Sequence, residues 1–260
     1  MESQVADLIV TENLDEELAD AIDMEDGRVV SIQFDEELQT WKRFTSKSSD
    51  GEDSARAFSS IRDWYSDQVF AVRLEGPGFL TFKWRLESSR VLNEFEELRL
   101  SCTLDDQFAF EDENELAVLI DAKKSSVAKW IDNWVMIPEG KHTVYFTFFK
   151  DGEHTGRAYV DQMAFKRAEP GKPSLVKISK QEGNVELGDR LEMKVDQVEG
   201  YPFPTFQWRL NGEVIKDATN HFYKVEHAWD FDTGEYTVVV SNEHGSLESE
   251  PLKVTGEGEG

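Results

Sequence analysis

Trp208 sits in the alternating run Thr205-Phe206-Gln207-Trp208-Arg209-Leu210, which is closed by Asn211-Gly212. Asp232-Thr233-Gly234-Glu235-Tyr236 follows, and a second alternation continues through Val238 and Val240. Side chains on a strand point to opposite faces in turn, so each run presents one apolar face that must be covered by another layer. Asn-Gly suits a two-residue hairpin turn, because both central positions need positive φ. Two packed sheets with Trp208 between them meet these demands.

The same period of two extends upstream through Val185, Leu187, Leu191, Met193 and Val195, and recurs at Tyr223 and Val225. At 260 residues the chain has room for two domains of ordinary size. Ala168-Glu169-Pro170-Gly171-Lys172-Pro173 has linker composition. The expected organisation is a first domain over 1–167, opening with a short acidic segment at 1–26, then a linker at 168–173 and a second domain over 174–255. A flexible tail at 256–260 completes it.

Residues 174–255 resemble a bacterial immunoglobulin-like domain of the I-set kind. The likeness rests on Gly200, Pro202 and Pro204 ahead of Trp208, then Asp232, Gly234 and Tyr236, then Ser241, Asn242 and Gly245. Extracellular animal versions place paired cysteines where this chain has Val195 and Val238, which implies apolar packing around Trp208 in place of a bridge. The resemblance further implies that Tyr236 forms a tyrosine corner and that Asp232 satisfies the turn before it. The single cysteine, Cys102, alternates with Leu98, Leu100 and Leu104, so it is expected to be a small buried hydrophobe, and no intrachain disulfide is possible.

In the first domain Leu14, Leu18 and Ile22 recur at helical spacing, which predicts one short helix over 13–23 with an acidic outer face. The period then becomes two: Phe70, Val72, Leu74; Leu80, Phe82, Trp84; Leu98, Leu100, Cys102; Val144, Phe146, Phe148. Gly76-Pro77-Gly78 reads as a strand-entry turn, since a phosphate loop would need a lysine at fixed spacing and a following helix. These short strands predict a second sandwich or jelly roll, so the whole chain is expected to be all-β. The stretch 105–129 fits this scheme least.

The succession Leu18 to Asp23, Trp41, Asp50-Gly51, Gly76-Pro77-Gly78-x-Leu80-x-Phe82-x-Trp84, Ile137-Pro138-x-Gly140-x-His142-Thr143, Lys150-Asp151-Gly152 and Ala158 to Gln162 resembles a jelly-roll module of secreted and cell-surface bacterial proteins, concanavalin-like or carbohydrate-binding-like in architecture. Such modules often adjoin immunoglobulin-like repeats. The resemblance implies an extracellular or cell-surface setting in a longer parent. The start of the chain lacks the basic and apolar regions of an export signal, which leaves a cytoplasmic setting open.

The charge of −25, from 53 acidic and 28 basic residues, opposes nucleic-acid binding, which needs clustered cations. It also repels anionic lipid heads, and no apolar window is long enough for membrane insertion. The surplus either simply keeps the chain soluble or serves to draw divalent cations. Carbohydrate-binding jelly rolls of this kind often hold a structural calcium between the first and last strands. The resemblance therefore nominates Asp35, Glu36, Asp50, Asp53 and Asp161 as oxygen ligands. For sugar binding, Trp64 with Tyr65 and Trp130 with Trp134 could form a stacking platform.

Histidines at 142, 154, 221, 227 and 244 show no zinc-ligand spacing, and no nucleophile, base and orienter can be named together. The expected function is non-catalytic: adhesion, spacing or assembly through a protein or glycan at a cell surface, with self-association through edge strands as a further route. A carbohydrate-binding module is the alternative, and a hydrolase the third.

Overall fold

The computed structural model describes residues 11–14, 16–24, 29–33, 41–93, 95–105, 120–121, 129–180, 185–186, 188, 191–225 and 227–257. Asp35, Glu36 and most of 105–129 lie outside them. The chain divides into two compact units, 1–167 and 168–260. Both are β-sandwiches, the first of jelly-roll type and the second immunoglobulin-like, so the fold is all-β. Among the described residues no helix is long and apolar enough to cross a membrane.

The first unit runs β1 (Thr11–Leu14), α1 (Glu16–Ala21), β2 (Val29–Gln33), β3 (Lys42–Phe44), β4 (Ser54–Ser59), β5 (Tyr65–Ser88), β6 (Glu97–Leu104), β7 (Ile120–Asp121), β8 (Ile131–Asp151) and β9 (Gly156–Arg167). Its axis is the antiparallel ladder of β5 and β8, strands of 24 and 21 residues. Between Gly76 and Gly78 the register slips, and the ladder bends. Before the bend β5 pairs on its other edge with β2, and β8 pairs with β6; beyond it β5 pairs with β9. The halves fold onto one another around a single core. Phe82 beyond the bend meets Phe146 before it edge-on at 5.0 Å, and Phe146 stacks on Phe70 at 4.8 Å. Trp41, Trp84, Leu100, Cys102 and Val160 share that core, with Leu18 and Ile22 of the helical segment.

Two expectations are corrected here. Gly76-Pro77-Gly78 does not open a strand but lies inside one, at its bend. The helix is also shorter than the spacing predicts, because Leu14 belongs to β1 and pairs with Val30 instead of extending α1.

The second unit comprises β10 (Gly171–Lys180), β11 (Val185–Glu186), β12 (Leu191–Tyr201), β13 (Thr205–Leu210), β14 (Glu213–Val214), β15 (Phe222–Val225), β16 (Gly234–Asn242), β17 (Gly245–Glu248), β18 (Leu252–Val254) and β19 (Gly256–Glu257). One sheet is β10-β12-β15; the other is β14-β13-β16-β17, with β18 also on β16. β11 pairs in parallel with β19. Asn211 and Gly212, both at positive φ, make the two-residue turn between β13 and β14. Trp208 is fully buried with Val195 and Val238, and its Nε1–H donates to the Asn220 carbonyl at 2.9 Å. The Tyr236 hydroxyl donates to the Asp232 carbonyl at 2.7 Å, while the Asp232 carboxylate accepts from the Trp229 amide at 2.9 Å. Burial pushes the Tyr236 hydroxyl upward, so it stays a donor.

Candidate functional site

Two features of the first unit gather functional groups. The first is acidic. Asp161 on β9 is buried, with Oδ2 accepting from the Ser49 amide at 2.6 Å and Oδ1 from the Gln162 amide at 2.8 Å. These bonds pin the loop between β3 and β4 against β9. In that loop Asp50 accepts from the Glu52 amide at 2.9 Å, and Gly51, at φ +100°, donates to the Ser48 hydroxyl. Asp23 comes from the turn after α1, which is tied to β9 where the Met163 amide donates to the Ile22 carbonyl at 2.8 Å.

One carboxylate oxygen each from Asp23, Asp50 and Asp161 lies within 4.8 Å of the others. Such an all-oxygen set suits a hard cation, with carbonyls or water completing the shell. The electrostatics point the same way. Partial burial, then the nearby Asp161 and Asp50 charges, raises the Asp23 carboxyl above its usual range, whereas the Glu52 amide lowers that of Asp50.

Of the nominated ligands, Asp50 and Asp161 are brought together. Asp53 is not among them, because Arg43 on β3 holds it in an ion pair at 2.5 Å. Asp35 and Glu36 fall outside the described residues. Asp23 was missed: nothing in its local sequence announces that a turn far from Asp161 is bonded to the same strand.

The second feature is a loop end. Lys150, near the close of β8, is fully buried. Its Nζ donates to the carbonyls of Asp63, Gly152 and Trp64, the latter two at 2.7 and 3.5 Å. The Gly152 amide donates to the Trp64 carbonyl at 2.9 Å, and Arg90 clasps Glu96 and the Glu153 carbonyl. Loop 60–64, Arg90 and Glu96, and loop 152–155 are thus laced together. Desolvation pushes the Lys150 amine down from its ordinary pKa, opposed by the Asp63, Asp151 and Glu96 charges.

On this braced end the rings of Trp64 and Tyr65 stay 60% and 58% exposed, with Tyr65 set edge-on to Phe149 at 5.4 Å. Val91 and Phe95 are exposed on the neighbouring loop. The other nominated aromatics do not join them. Trp130 is half-buried against Tyr159, and Trp134 is only 3% exposed, packed on Phe79, so it offers no face to a ligand.

Two groups suited to catalysis are engaged elsewhere. Cys102 is buried in the core. His142 directs Nδ1 at Asp105, 2.7 Å away, and Nε2 at the Glu139 carbonyl, so neither nitrogen is left to act as a base.

No family model matches the chain. Among solved structures it is similar to the N-terminal four immunoglobulin domains of Dscam1 isoform 6.9, at 17% identity and a TM-score of 0.30, with 61% of this chain and 38% of that one covered. The tandem immunoglobulin repeats of Dlar align at 11% identity and a TM-score of 0.31, over 72% of this chain and 97% of that one. TmCBM61, solved with β-1,4-galactotriose, aligns at 11% and 0.34, over 54% and 87%. Likenesses this slight carry no functional inference.

Proposed function

We propose that the chain is a non-catalytic segment of a bacterial cell-surface or secreted multidomain protein, in which the loop end of the first unit grips a polysaccharide and the second unit acts as a spacer. The exposure of Trp64 at the close of a loop braced by Lys150, and of Tyr65 at the start of β5 beside it, carries this reading. Sugar rings present apolar faces that stack on aromatic rings, and a rigid platform loses little entropy on binding. Titration of the whole chain with a panel of neutral oligosaccharides, followed by tryptophan emission, tests it. Trp64→Ala is expected to weaken binding of the responding sugar by about 1–3 kcal/mol, by analogy with the stacking of a nucleobase on an aromatic ring. A flat response across the panel would sink the proposal.

A protein ligand for adhesion or assembly is the second reading, favoured by the further exposed apolar side chains Val91 and Phe95 on the loop that Arg90 ties to the same end.

We further propose that Asp23, Asp50 and Asp161 hold a structural calcium ion, which would hold the α1 turn and the β3–β4 loop on β9. Free calcium at a hundred times its dissociation constant should then stabilise the first unit by about 2.7 kcal/mol, and chelator should reverse the rise in midpoint. Asp23→Asn, at an exposed position, should abolish most of that rise. An unmoved midpoint at saturating calcium would refute the site.

A further inference from the structure

At the far end of β5's first arm from Trp64, where the ladder bends, lies an open groove of about 790 Å³. Arg73, Lys141, His142 and Arg167 line it, against the carboxylates of Asp23 and Glu75. The register explains the assembly: Arg73 stands opposite Thr143 and Glu75 opposite Lys141 on the outer face of the ladder, and Arg167 stands opposite Gly78 at the bend. Among the described residues neither Lys141 nor Arg167 has a carboxylate partner. His142 faces acceptors with both ring nitrogens, the arrangement of a doubly protonated imidazolium. A chain of net charge −25 thus concentrates cations in one place.

We infer that this groove is a second binding site, for a saccharide bearing an oxyanion, either a carboxylate or a sulfate ester. A concave site lined mainly by one sign of charge focuses the field on a localised opposite charge, and arginine offers paired donors to a planar carboxylate or a sulfate. Volumes of about 300–1,000 Å³ are usual for small-ligand sites. Nucleic acid fits poorly, because a long polyanion would run out of the groove onto an acidic surface, whereas a short oligosaccharide ends close to it. The inference takes from the proposed function only that the ligand is a sugar; the site itself is separate from the Trp64 platform.

Titration of the full chain with tetragalacturonate, with a sulfated oligosaccharide and with neutral cellotetraose tests the inference. At least one anionic ligand should bind where cellotetraose does not, and high salt should weaken it by roughly tenfold or more. Stronger binding of the first or the second ligand identifies the oxyanion. The double variant Lys141→Gln/Arg167→Gln should also lose about tenfold in affinity, or 1.4 kcal/mol, with an unchanged thermal midpoint since both side chains are exposed. Trp64→Ala should leave this binding intact, so failure of the platform and failure of the groove are told apart. With the platform removed by Trp64→Ala, equal binding of cellotetraose, unreduced affinity on adding the Lys141→Gln/Arg167→Gln pair, or no binding of either anionic ligand would overturn the inference.

Discussion

Gly76→Ala is expected to prevent the first unit from folding, at a cost of roughly 4–5 kcal/mol or more, which places it among the rare severe substitutions. A Cβ at this position would stand 1.8 Å from the Pro138 carbonyl oxygen and 2.7 Å from that of Ile137. Both obstacles are backbone, so no rotamer change relieves them, and retreat would pull β8 away from β5 where the two strands bend together. Gly171→Ala is the control, since a Cβ there meets nothing within 4 Å. Backbone amide spectra of the two variants decide the matter. The alanine at 76 should collapse the dispersion of β5 and β8 while β13 and β16 keep theirs, and the control should match the parent. A Gly76→Ala protein with the parental midpoint would show that the strands do not approach so closely at the bend.

Lys150→Met is expected to lower the stability of the first unit by roughly 2–5 kcal/mol, since hydrogen bonds to a charged group contribute about 1.5–3 kcal/mol each and the Asp63 carbonyl would be left without its donor, whereas the Trp64 and Gly152 carbonyls keep the Gly152 and His154 amides. Methionine fills nearly the same space, so the loss isolates the ammonium and its bonds to the carbonyls of Asp63, Trp64 and Gly152. The loops at that end should loosen with it. Hydrogen exchange at the Gly152 amide, which donates to the Trp64 carbonyl, should accelerate, and any sugar held by the platform should be released more readily. Unchanged protection at Gly152 together with a parental midpoint would remove Lys150 from its bracing role.

Local periodicity made much of the fold legible. Phe70, Val72 and Leu74, or Leu98, Leu100 and Cys102, face the core because alternation on a strand is decided residue by residue, without knowledge of the partner strand. The bend was not legible. Gly-Pro-Gly punctuates a sequence in the same way whether the chain turns back or two paired strands curve together, and the pairing of Gly76 with Gly140 is set by residues far along the chain. Pro138 inside β8 misleads for the same reason.

At the acidic cluster, Asp50 and Asp161 were accessible as acids in a loop and on the last strand. Asp23 enters through one backbone bond between Met163 and Ile22 that no spacing encodes. Asp53 was lost to the cluster because a cation on a neighbouring strand claimed it. Trp134 shows a further limit: alternation beside the inward Val135 and Ile137 places it on the outer face, but it does not reveal that Phe79 packs over it there.

The parallel pairing of β11 with β19 gives the second unit a mechanical character. Both strands lie near the ends of the unit and run in the same direction, with Val185 beside Gly256 and Glu186 beside Glu257. Once β10 has peeled from β12, tension drawn along the polypeptide slides β11 and β19 past each other, so their bonds are strained together rather than opened in turn as in a hairpin pulled from its free ends. A unit tied in this way is expected to yield late under load.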